Sequence, residues 1–450
     1  MAWRMAALNL DYSVLMGCHN GLFAVPKRQS GYAMGMVRSL ACAAIIVIVT
    51  NAADAQTTRY TVKLTPDFNH QLLRGEEDIE FQHAAGISEW NKQAGVQIIA
   101  AESGGGDVEL GAELVKVRSR GAGQQKVHFS YQAAPGRGLD WIAAGTGLFT
   151  EFYCDAWMVC DNHPDQRATL RLEVILPAAG GMRPVAPGRL TNQWRDTSGA
   201  HFVFEEKEPV QTYLFSFGIG NLELSRDGNL SVYAKSAGHT VALRQTADAY
   251  EFLRGRATVD LRIAPYVQVF MPTGGLGQEA AGLALMNEDY LSRLDTKDDI
   301  LLMTHELAHQ WWGVLVGIRS WSDFWLNEGM ADFMADAYLE QFAGRAAYVK
   351  QMDLARKGME ELREQGKDRP LHWEQWKDAH EALGQVPYVK GALFLDRLRS
   401  ELGESAFWQG IALYSSRNAR RLVDSRDFQH AMEEASRRDL GPLFAEAVYR

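Results

Sequence analysis

The first half of the chain is a succession of short apolar segments separated by turn-forming residues. Residues 60–64 (YTVKL) are the first such segment, and Pro66 and Asp67 follow it. Short segments of this kind, punctuated by Gly, Pro and Asn, are typical of β-strands. Further candidate strands are residues 78–81, 96–100, 127–131, 170–176, 201–204 and 212–218. Because helical periodicity is largely absent here, the pattern predicts an all-β, sandwich-like domain over residues 56–224.

From about residue 225 the pattern changes to longer segments with apolar positions every three or four residues. This period predicts amphipathic helices. Residues 267–271 (VQVFM) instead predict a strand, and the apolar residues 282–286 predict an edge strand beside it. The candidate helices are residues 246–254, 300–316, 323–342, 346–365, 389–402 and 425–436. A small sheet followed by a helical body predicts an α+β domain over residues 225–450.

One of these helical segments contains the sequence HELAH, with His305, Glu306 and His309. Residues four apart in an α-helix lie one turn apart on one face, so both imidazoles can reach a single ion. Glu328 follows in a second predicted helix and can supply a third ligand. Three protein ligands with an open fourth position are typical of a catalytic zinc ion. The sequence therefore predicts one Zn²⁺ per chain, bound by His305, His309 and Glu328.

The alternative for the HELAH segment is a helix whose histidines are ordinary hydrogen-bonded residues. The motif is short, so chance occurrences are a real risk. However, Leu301, Leu302 and Trp312 give the segment the apolar pattern of a buried helix. Two imidazoles inside such a pattern need partners, because burying a polar group without one is unfavourable. We therefore favour the metal site and an α+β zincin layout for the second domain.

Composition and charge narrow the choice of partners. The chain has 450 residues, of which 46% are hydrophobic and 23% charged, as in ordinary globular proteins. The formal net charge of −10 and the lack of a basic cluster argue against a nucleic-acid partner.

The first 55 residues have the pattern of a leader. A positively charged start precedes ten apolar residues at 40–49, and Ala53-Asp54-Ala55 follows them. This order is typical of a secretory signal peptide, and the apolar run is short for a membrane span. Translation from Met34 or Met36 would give the leader its usual length, whereas the long preceding segment leaves an uncleaved anchor as the alternative. We expect a periplasmic or secreted protein with no stable membrane insertion after leader removal.

Cys154 and Cys160 are the two cysteines that lie beyond this leader. In an oxidising compartment they can form a disulfide that closes a small loop. The alternative is two unpaired cysteines that pack as small hydrophobic residues. No second cysteine pair lies nearby in the sequence, so we do not expect them to bind zinc.

Several segments resemble the aminopeptidase N family of zinc metallopeptidases, which are gluzincins. HELAHQWWG at 305–313 and WLNEG at 325–329 are similar to the family's zinc-binding segments. PYVKGA at 387–392 is similar to the segment that carries the family's catalytic tyrosine, which implies this role for Tyr388. The resemblance extends over about residues 60–450. It implies a thermolysin-like zincin catalytic domain, a zinc cofactor and peptide substrates.

The resemblance also implies a site for the free α-amine of a substrate. LGQEAAGL at 276–283 is similar to the family's G-x-M-E-N segment, and Glu279 takes the place of its amine-binding glutamate. TEFY at 150–153 resembles the family's T-Q-x-E segment and makes Glu151 a second candidate. Three positions of the first segment depart from the family pattern, and Tyr153 replaces the glutamate of the second. For Glu279 the alternative is a solvated loop carboxylate.

Together these residues predict a hydrolase. Glu306 would accept the proton of a zinc-bound water and return it to the leaving amine, while Tyr388 would stabilise the oxyanion. Asp332, one turn beyond Glu328, would accept an N–H from a ligand histidine or is simply a surface acid. We therefore expect an exported zinc aminopeptidase. The alternatives are a zincin hydrolase with endopeptidase or other specificity, and a non-catalytic peptide-binding relative.

Overall fold

The structure is a computed structural model that describes residues 57–450 except 84, 143–144, 178–180, 262–265, 274–276, 298 and 384–385. The predicted leader lies outside these residues. None of the described helices is both long and apolar enough to cross a membrane.

Most of the described strands lie in the first half of the chain and the described α-helices lie in the second, which gives a β-rich half and a helical half. The strands are β1 (Thr58–Asp67), β2 (Leu72–His83), β3 (Gly86–Asn91), β4 (Val96–Ser103), β5 (Gly106–Leu110), β6 (Leu114–Ser119), β7 (Gly123–Ala133), β8 (Leu139–Ile142), β9 (Gly147–Thr150), β10 (Arg167–Leu176), β11 (Arg183–Val185), β12 (Arg189–Asp196), β13 (Gly199–Gln211), β14 (Gly218–Gly220), β15 (Glu223–Asp227), β16 (Leu230–Ala234), β17 (Tyr266–Met271), β18 (Gly277–Ala280), β19 (Leu283–Asn287), β20 (Val316–Ile318) and β21 (Arg421–Val423). The α-helices are α1 (Thr240–Ala257), α2 (Glu288–Lys297), α3 (Leu301–Ala308), α4 (Trp325–Ala343), α5 (Arg345–Glu364), α6 (Ala379–Ala382), α7 (Gly391–Leu402), α8 (Glu404–Asn418), α9 (Ser425–Ser436) and α10 (Gly441–Ala447).

The β-rich half is built on a seven-stranded sheet in the order β12-β13-β10-β1-β2-β7-β4. Along β1, Tyr60, Val62 and Leu64 are buried and the residues between them are exposed. This alternation follows from the two-residue period of a strand and turns one face of the sheet to the core. A four-stranded sheet (β11-β14-β9-β8) and a three-stranded sheet (β3-β6-β5) complete this half. The predicted β-rich N-terminal domain is confirmed.

The strand predicted at 212–218 is wrong. Thr212–Leu214 is a 3₁₀ turn, and β14 begins only at Gly218. The backbone N–H of Thr212 donates to the carbonyl of Gln166 (3.1 Å), and its hydroxyl donates to the carbonyl of Asp161. A neighbouring loop therefore takes the hydrogen bonds that a strand would have used.

The predicted disulfide between Cys154 and Cys160 is confirmed. Two further contacts hold the loop between the two cysteines against the sheets. Asn91 and Cys160 exchange backbone hydrogen bonds of 2.7 and 3.0 Å, and the N–H of Val159 donates to the buried carboxylate of Glu77 (2.9 Å). The segment that follows β9 is thus held against the β-sheets.

The helical half begins with a five-stranded sheet in the order β15-β16-β17-β19-β18. The prediction of an edge strand at 282–286 is wrong, because this segment forms the interior strand β19. Its residues from Leu283 to Met286 are all buried, as expected for a strand that is covered on both faces. The edge strand is β18, which carries Glu279 and runs antiparallel to β19. The domain boundary predicted between residues 224 and 225 falls within β15 and stays a prediction.

Helix α3 is shorter than the helix predicted at 300–316. The chain leaves the helix after His309 and turns at Gly313, whose φ of +141° is accessible mainly to glycine. It then continues as β20. The helices predicted at 323–342, 346–365 and 425–436 correspond closely to α4, α5 and α9.

Hydrogen bonds between buried groups join the two halves behind the HELAH segment. The side-chain N–H of Gln211, which is fully buried, donates to the carbonyl of Gly313 (3.2 Å). The N–H of Ala281 donates to the carbonyl of Leu214 (3.2 Å). Because these bonds end next to α3 and β18, they fix the β-rich half against the two elements that carry candidate site residues.

Candidate metal centre and active site

Helix α3 presents the two histidines of the HELAH segment on one side. Every residue from Leu302 to Ala308 is buried. His309 follows the helix but keeps helical dihedral angles (φ −57°, ψ −23°), and its N–H donates to the carbonyl of His305 (3.3 Å). The one-turn spacing is therefore kept although the helix ends here. The Nε2 atoms of His305 and His309 lie 3.0 Å apart.

Glu328 on α4 completes the predicted triad. Its Oε2 atom lies 3.3 Å from Nε2 of His305 and 3.5 Å from Nε2 of His309. With zinc–ligand bonds of about 2.0–2.1 Å, the ligand atoms around a tetrahedral zinc are separated by roughly 3.3–3.4 Å. The three separations in the structure are close to this value, so the triad has the spacing that one zinc ion requires.

The triad also fits a cation by its charge and its hydrogen bonding. Both carboxylate oxygens of Glu328 are buried; Oε2 faces the two imidazoles, and Oε1 has no hydrogen-bond partner among the described residues. A buried carboxylate needs a counter-charge, and a cation bound between these three groups would supply it. In the part of the chain that the structure describes, one other group has its potential ligand atoms within 4.8 Å of one another: Glu279, Glu306 and His309, which shares a histidine with the triad. The residues present therefore fit zinc.

Two polar residues of α4 orient the imidazoles from behind. Asp332 lies 2.9 Å from Nδ1 of His305 and is only 2% exposed, so it is not a surface acid. The Oδ1 atom of Asn327 lies 2.9 Å from Nδ1 of His309. Such partners fix the tautomer and the ring orientation of a metal-binding histidine.

Burial and neighbouring charges set the protonation of the metal-free triad. Burial acts to lower the pKa of His305, but Asp332 and Glu328 outweigh it and raise that pKa to about 9. Burial acts to raise the pKa of Glu328, but the two histidines hold it below its usual value. His305 is therefore protonated at neutral pH in the metal-free chain, and a metal ion has to displace that proton.

Glu306, the predicted acid–base residue, lies beside the triad and is 3% exposed. Its Oε2 atom is buried without a hydrogen-bond partner among the described residues. Burial raises the pKa of its carboxyl, although the neighbouring histidines oppose this effect. A raised pKa suits a group that takes up and returns a proton near neutral pH.

Glu279 lies on the edge strand β18 and is 2% exposed, so it is not a solvated loop carboxylate. Gln310, which follows His309, positions the strand. Its side-chain amide hydrogen-bonds to the backbone on both sides of the turn between β18 and β19, at 3.1 and 2.9 Å. A carboxylate oxygen of Glu279 lies within 4.8 Å of ligand atoms of Glu306 and His309. The structure thus brings the first amine-site candidate to the metal centre.

Tyr388 reaches the metal centre from a π-helical turn, Val386–Lys390, which precedes α7. The helix predicted at 389–402 begins only at Gly391, after this turn. The tyrosine ring stacks on His305, with ring centroids 6.0 Å apart and 8° between the planes. Burial, followed by the charge of Glu328, raises the pKa of the phenol, so its hydroxyl stays protonated and able to donate.

Two glycines make this approach of Tyr388 possible. A Cβ atom at Gly391 would lie 2.7 Å from the Cα of Gly329, which is too close for any side chain. Helices α4 and α7 therefore meet backbone to backbone. Gly329 directly follows Glu328, and Gly391 lies three residues after Tyr388, so this contact holds the ligand and the tyrosine near each other.

Glu151, the second amine-site candidate, lies outside the two groups of close ligand atoms around the HELAH segment. Burial and the nearby carboxylate of Asp140 raise its pKa. The hydroxyl of Tyr153 accepts a hydrogen bond from Arg137 (2.7 Å). The TEFY segment therefore offers one carboxylate and one arginine-bound tyrosine, and Glu151 stays a prediction.

The sequence pattern does not single out three further residues of the site. Asn327 and Gln310 are each at most 1% exposed. Both are polar residues within apolar segments next to a metal ligand, and that position is a usable signal. Tyr213 comes from the β-rich half; its hydroxyl is buried without a partner among the described residues, and burial and Glu279 raise its pKa. No local pattern marks it, because its neighbours at the site are distant in sequence.

Residues 245–446, which include all of these metal-centre residues except Tyr213, match the peptidase family M1 domain. This segment is a peptidase family M1 domain. The match confirms the resemblance to the aminopeptidase N family that the motifs indicate.

The chain is similar to several aminopeptidases. It is 22% identical over 420 residues to the leucyl aminopeptidase of Saccharolobus solfataricus, which covers 87% of this chain and 53% of that protein. It is 27% identical over 296 residues to leucine aminopeptidase 2 of Aspergillus terreus, covering 60% and 45%. It is 26% identical over 303 residues to aminopeptidase N of Lactococcus lactis, covering 62% and 36%. The chain thus spans about half the length of the leucyl aminopeptidase and less than half the length of the other two relatives.

The fold is that of a solved M1 zinc metallopeptidase from Deinococcus radiodurans. The TM-score is 0.69 at 23% identity, over 85% of this chain and 92% of the other. A mutant of that protein bound to a Tyr-Ser-Ala substrate has a TM-score of 0.67 at 23% identity, with the same coverage. The predicted architecture, an N-terminal β-rich domain followed by a zincin catalytic domain, is confirmed.

The glycine contact between α4 and α7 predicts a position-specific cost of adding a methyl group. Gly391→Ala should lower the free energy of unfolding by about 1–3 kcal/mol, because the two backbones have to separate. Gly255→Ala is the matched control, since Gly255 lies in α1 with no atom within 4 Å of an added Cβ; it should be neutral or slightly stabilising. Denaturant unfolding measures both, and equal effects would contradict the close contact.

Proposed function

We propose that the protein is a zinc-dependent aminopeptidase that hydrolyses N-terminal residues from peptides. The observation that carries this proposal is the position of Glu279. A buried carboxylate on an edge strand, within 4.8 Å of Glu306 and His309, is suited to pair with a substrate ammonium beside a metal triad. The names of the similar aminopeptidases and the match of residues 245–446 to the peptidase family M1 domain support it.

The metal would be held by His305, His309 and Glu328. Bound there, zinc supplies a water of lowered pKa and polarises the carbonyl of the scissile bond. Glu306 would accept the proton of the attacking water and then donate it to the leaving amine. Its buried carboxylate, with a pKa raised by burial, is suited to this exchange.

Tyr388 and Glu279 would bind the two ends of the reacting residue. The protonated hydroxyl of Tyr388 would donate to the oxyanion of the tetrahedral intermediate. Glu279 would pair with the α-ammonium group, so that the first peptide bond lies at the reacting position. Glu151 would add a second, weaker attraction for the same ammonium from the β-rich half.

A second candidate function is cleavage of internal peptide bonds or of another bond. The observation in its favour is the altered TEFY segment, in which Tyr153, whose hydroxyl accepts a hydrogen bond from Arg137, stands where the resembled family has a glutamate. Glu279 would then be the main determinant of exopeptidase action. A non-catalytic peptide-binding module is less well supported, because a binding module needs neither Glu306 nor Tyr388.

A panel of substrates tests the proposed function. We expect one zinc per chain and hydrolysis of aminoacyl 4-nitroanilides with a free amine. The N-acetylated substrates and a quenched peptide blocked at both ends should not be cleaved. A chelator should abolish activity, and added zinc should restore it. His309→Ala should lose both zinc and activity, whereas the control His70→Ala, an exposed histidine, should keep both. Cleavage of the blocked peptide would establish the second candidate instead.

The oxyanion role of Tyr388 predicts a loss of turnover without a loss of metal. Tyr388→Phe removes only the hydroxyl, so kcat should fall by roughly 10²–10³, the usual cost of one such donor. KM should change little, because the bond forms mainly in the transition state. The control is Tyr449→Phe, a tyrosine exposed at the C-terminal end. Near-normal kcat in Tyr388→Phe would remove this residue from the catalytic set.

We also propose that the protein is exported, most simply to a bacterial periplasm. The signal-like pattern of residues 40–55 and the disulfide between Cys154 and Cys160 support this proposal. When the full chain is expressed in a Gram-negative host, the protein should appear in the periplasmic fraction with Gln56 as its first residue. Mass spectrometry of its N-terminus measures this, and an unprocessed cytoplasmic protein would contradict export.

A further inference from the structure

We propose that Asn327 is a positioning residue that holds Glu279 ready for the substrate ammonium and links it to the metal ligand His309. The proposal rests on the aminopeptidase function proposed above. Asn327 lies on α4 next to Glu328 and is 0% exposed. Its side-chain amide lies between two functional groups, with Nδ2 3.1 Å from Oε1 of Glu279 and Oδ1 2.9 Å from Nδ1 of His309.

The chemistry of an amide gives this bridge a single direction. When Glu279 is ionised to receive an ammonium, its carboxylate can only accept hydrogen bonds, so the NH₂ group of Asn327 has to face it. The carbonyl of the amide then faces His309, whose Nδ1 must carry the hydrogen. The lone pair of that ring consequently lies on Nε2, the atom that points to His305 and Glu328. One side chain thus serves both the amine site and the metal site.

The two ends of the bridge are not equally dependent on Asn327. The carbonyl of Trp312 lies 3.3 Å from Nδ1 of His309 and is a second acceptor for the same N–H. Among the described residues, Asn327 is the side chain that donates a hydrogen bond to the carboxylate of Glu279, whereas Gln310 contacts the backbone around its strand. Loss of Asn327 should therefore disturb Glu279 more than it disturbs the metal ligand.

The expected consequence is a specific loss of preference for a free amine. Without the donor on Nδ2, the carboxylate of Glu279 is buried with its principal fixed partner removed, and its orientation towards the cleft is no longer defined. Binding of the α-ammonium should weaken, whereas binding of the rest of the substrate and of zinc should persist. If Asn327 had a merely structural role, its replacement would instead weaken the binding of all ligands together or release the metal.

A double-mutant cycle on the zinc-loaded full chain tests the proposal. The variants are Asn327→Leu, Glu279→Gln and the double variant, each in a Glu306→Gln background that prevents turnover. Calorimetry measures the affinity for L-leucinamide and for N-acetyl-L-leucinamide, and the ratio of the two affinities gives the free-amine preference. Zinc content is measured in every sample. Asn327→Asp is a second variant, which keeps the size of the side chain and an acceptor for His309 but cannot donate to ionised Glu279.

We expect the free-amine preference to fall about fivefold or more in Asn327→Leu, in Asn327→Asp and in Glu279→Gln, with one zinc per chain throughout. The double variant should lose no more than Glu279→Gln alone, because Asn327 acts through that carboxylate. Three results would overturn the proposal. They are additive losses in the double variant, a preference within twofold of the parent in either Asn327 variant, and loss of zinc from both Asn327 variants. A parent protein that binds both ligands equally would overturn the proposed function itself.

Discussion

The charge balance of one buried pocket is the constraint on which this site depends. The four carboxylates Glu279, Glu306, Glu328 and Asp332 are each at most 3% exposed. Two protonated imidazoles could not neutralise them all, and burial accordingly raises the pKa of both Glu279 and Glu306 in the metal-free chain. A divalent cation would change this balance by two charges. The proposed zinc ion is therefore both a reagent and the counter-charge that would let ionised carboxylates remain buried.

Such a balance can be maintained only if the groups are held in place by a rigid frame. The frame consists of contacts that tolerate little change: the backbone contact of Gly329 with Gly391, the clamp of Gln310 on the edge strand, and the bond from Gln211 to Gly313. Each of these joins segments that are distant in sequence. Since a displacement of about 1 Å is enough to disturb catalytic geometry, these contacts bear on function as directly as the ligands do.

Sequence reasoning recovers the parts of the site that depend on local geometry. The spacing of His305 and His309 follows from the helical repeat, and it survives even though α3 ends earlier than predicted. The interior position of β19 and the edge position of β18 could not be predicted, because strand order is decided by pairing across the sheet. Likewise, the contact of Asn327 with Glu279 joins residues 48 apart in sequence, and no local period encodes it. The helix end at His309 depends on the backbone angle of Gly313, which the sequence indicates only as a glycine.

The position of Glu279 suggests how selectivity for a chain end would arise from desolvation. A free ammonium can replace the water that the carboxylate loses on burial, whereas an internal peptide segment offers at most a neutral N–H. The difference between a charged and a neutral hydrogen bond is roughly 1–2 kcal/mol, or about 5–30-fold in affinity. A glutamate at the position of Tyr153 would add to this difference, but here that position is a tyrosine bonded to Arg137. The preference for free amines in this chain would consequently rest mainly on Glu279, with a weaker contribution from Glu151, and on how firmly its neighbours hold Glu279.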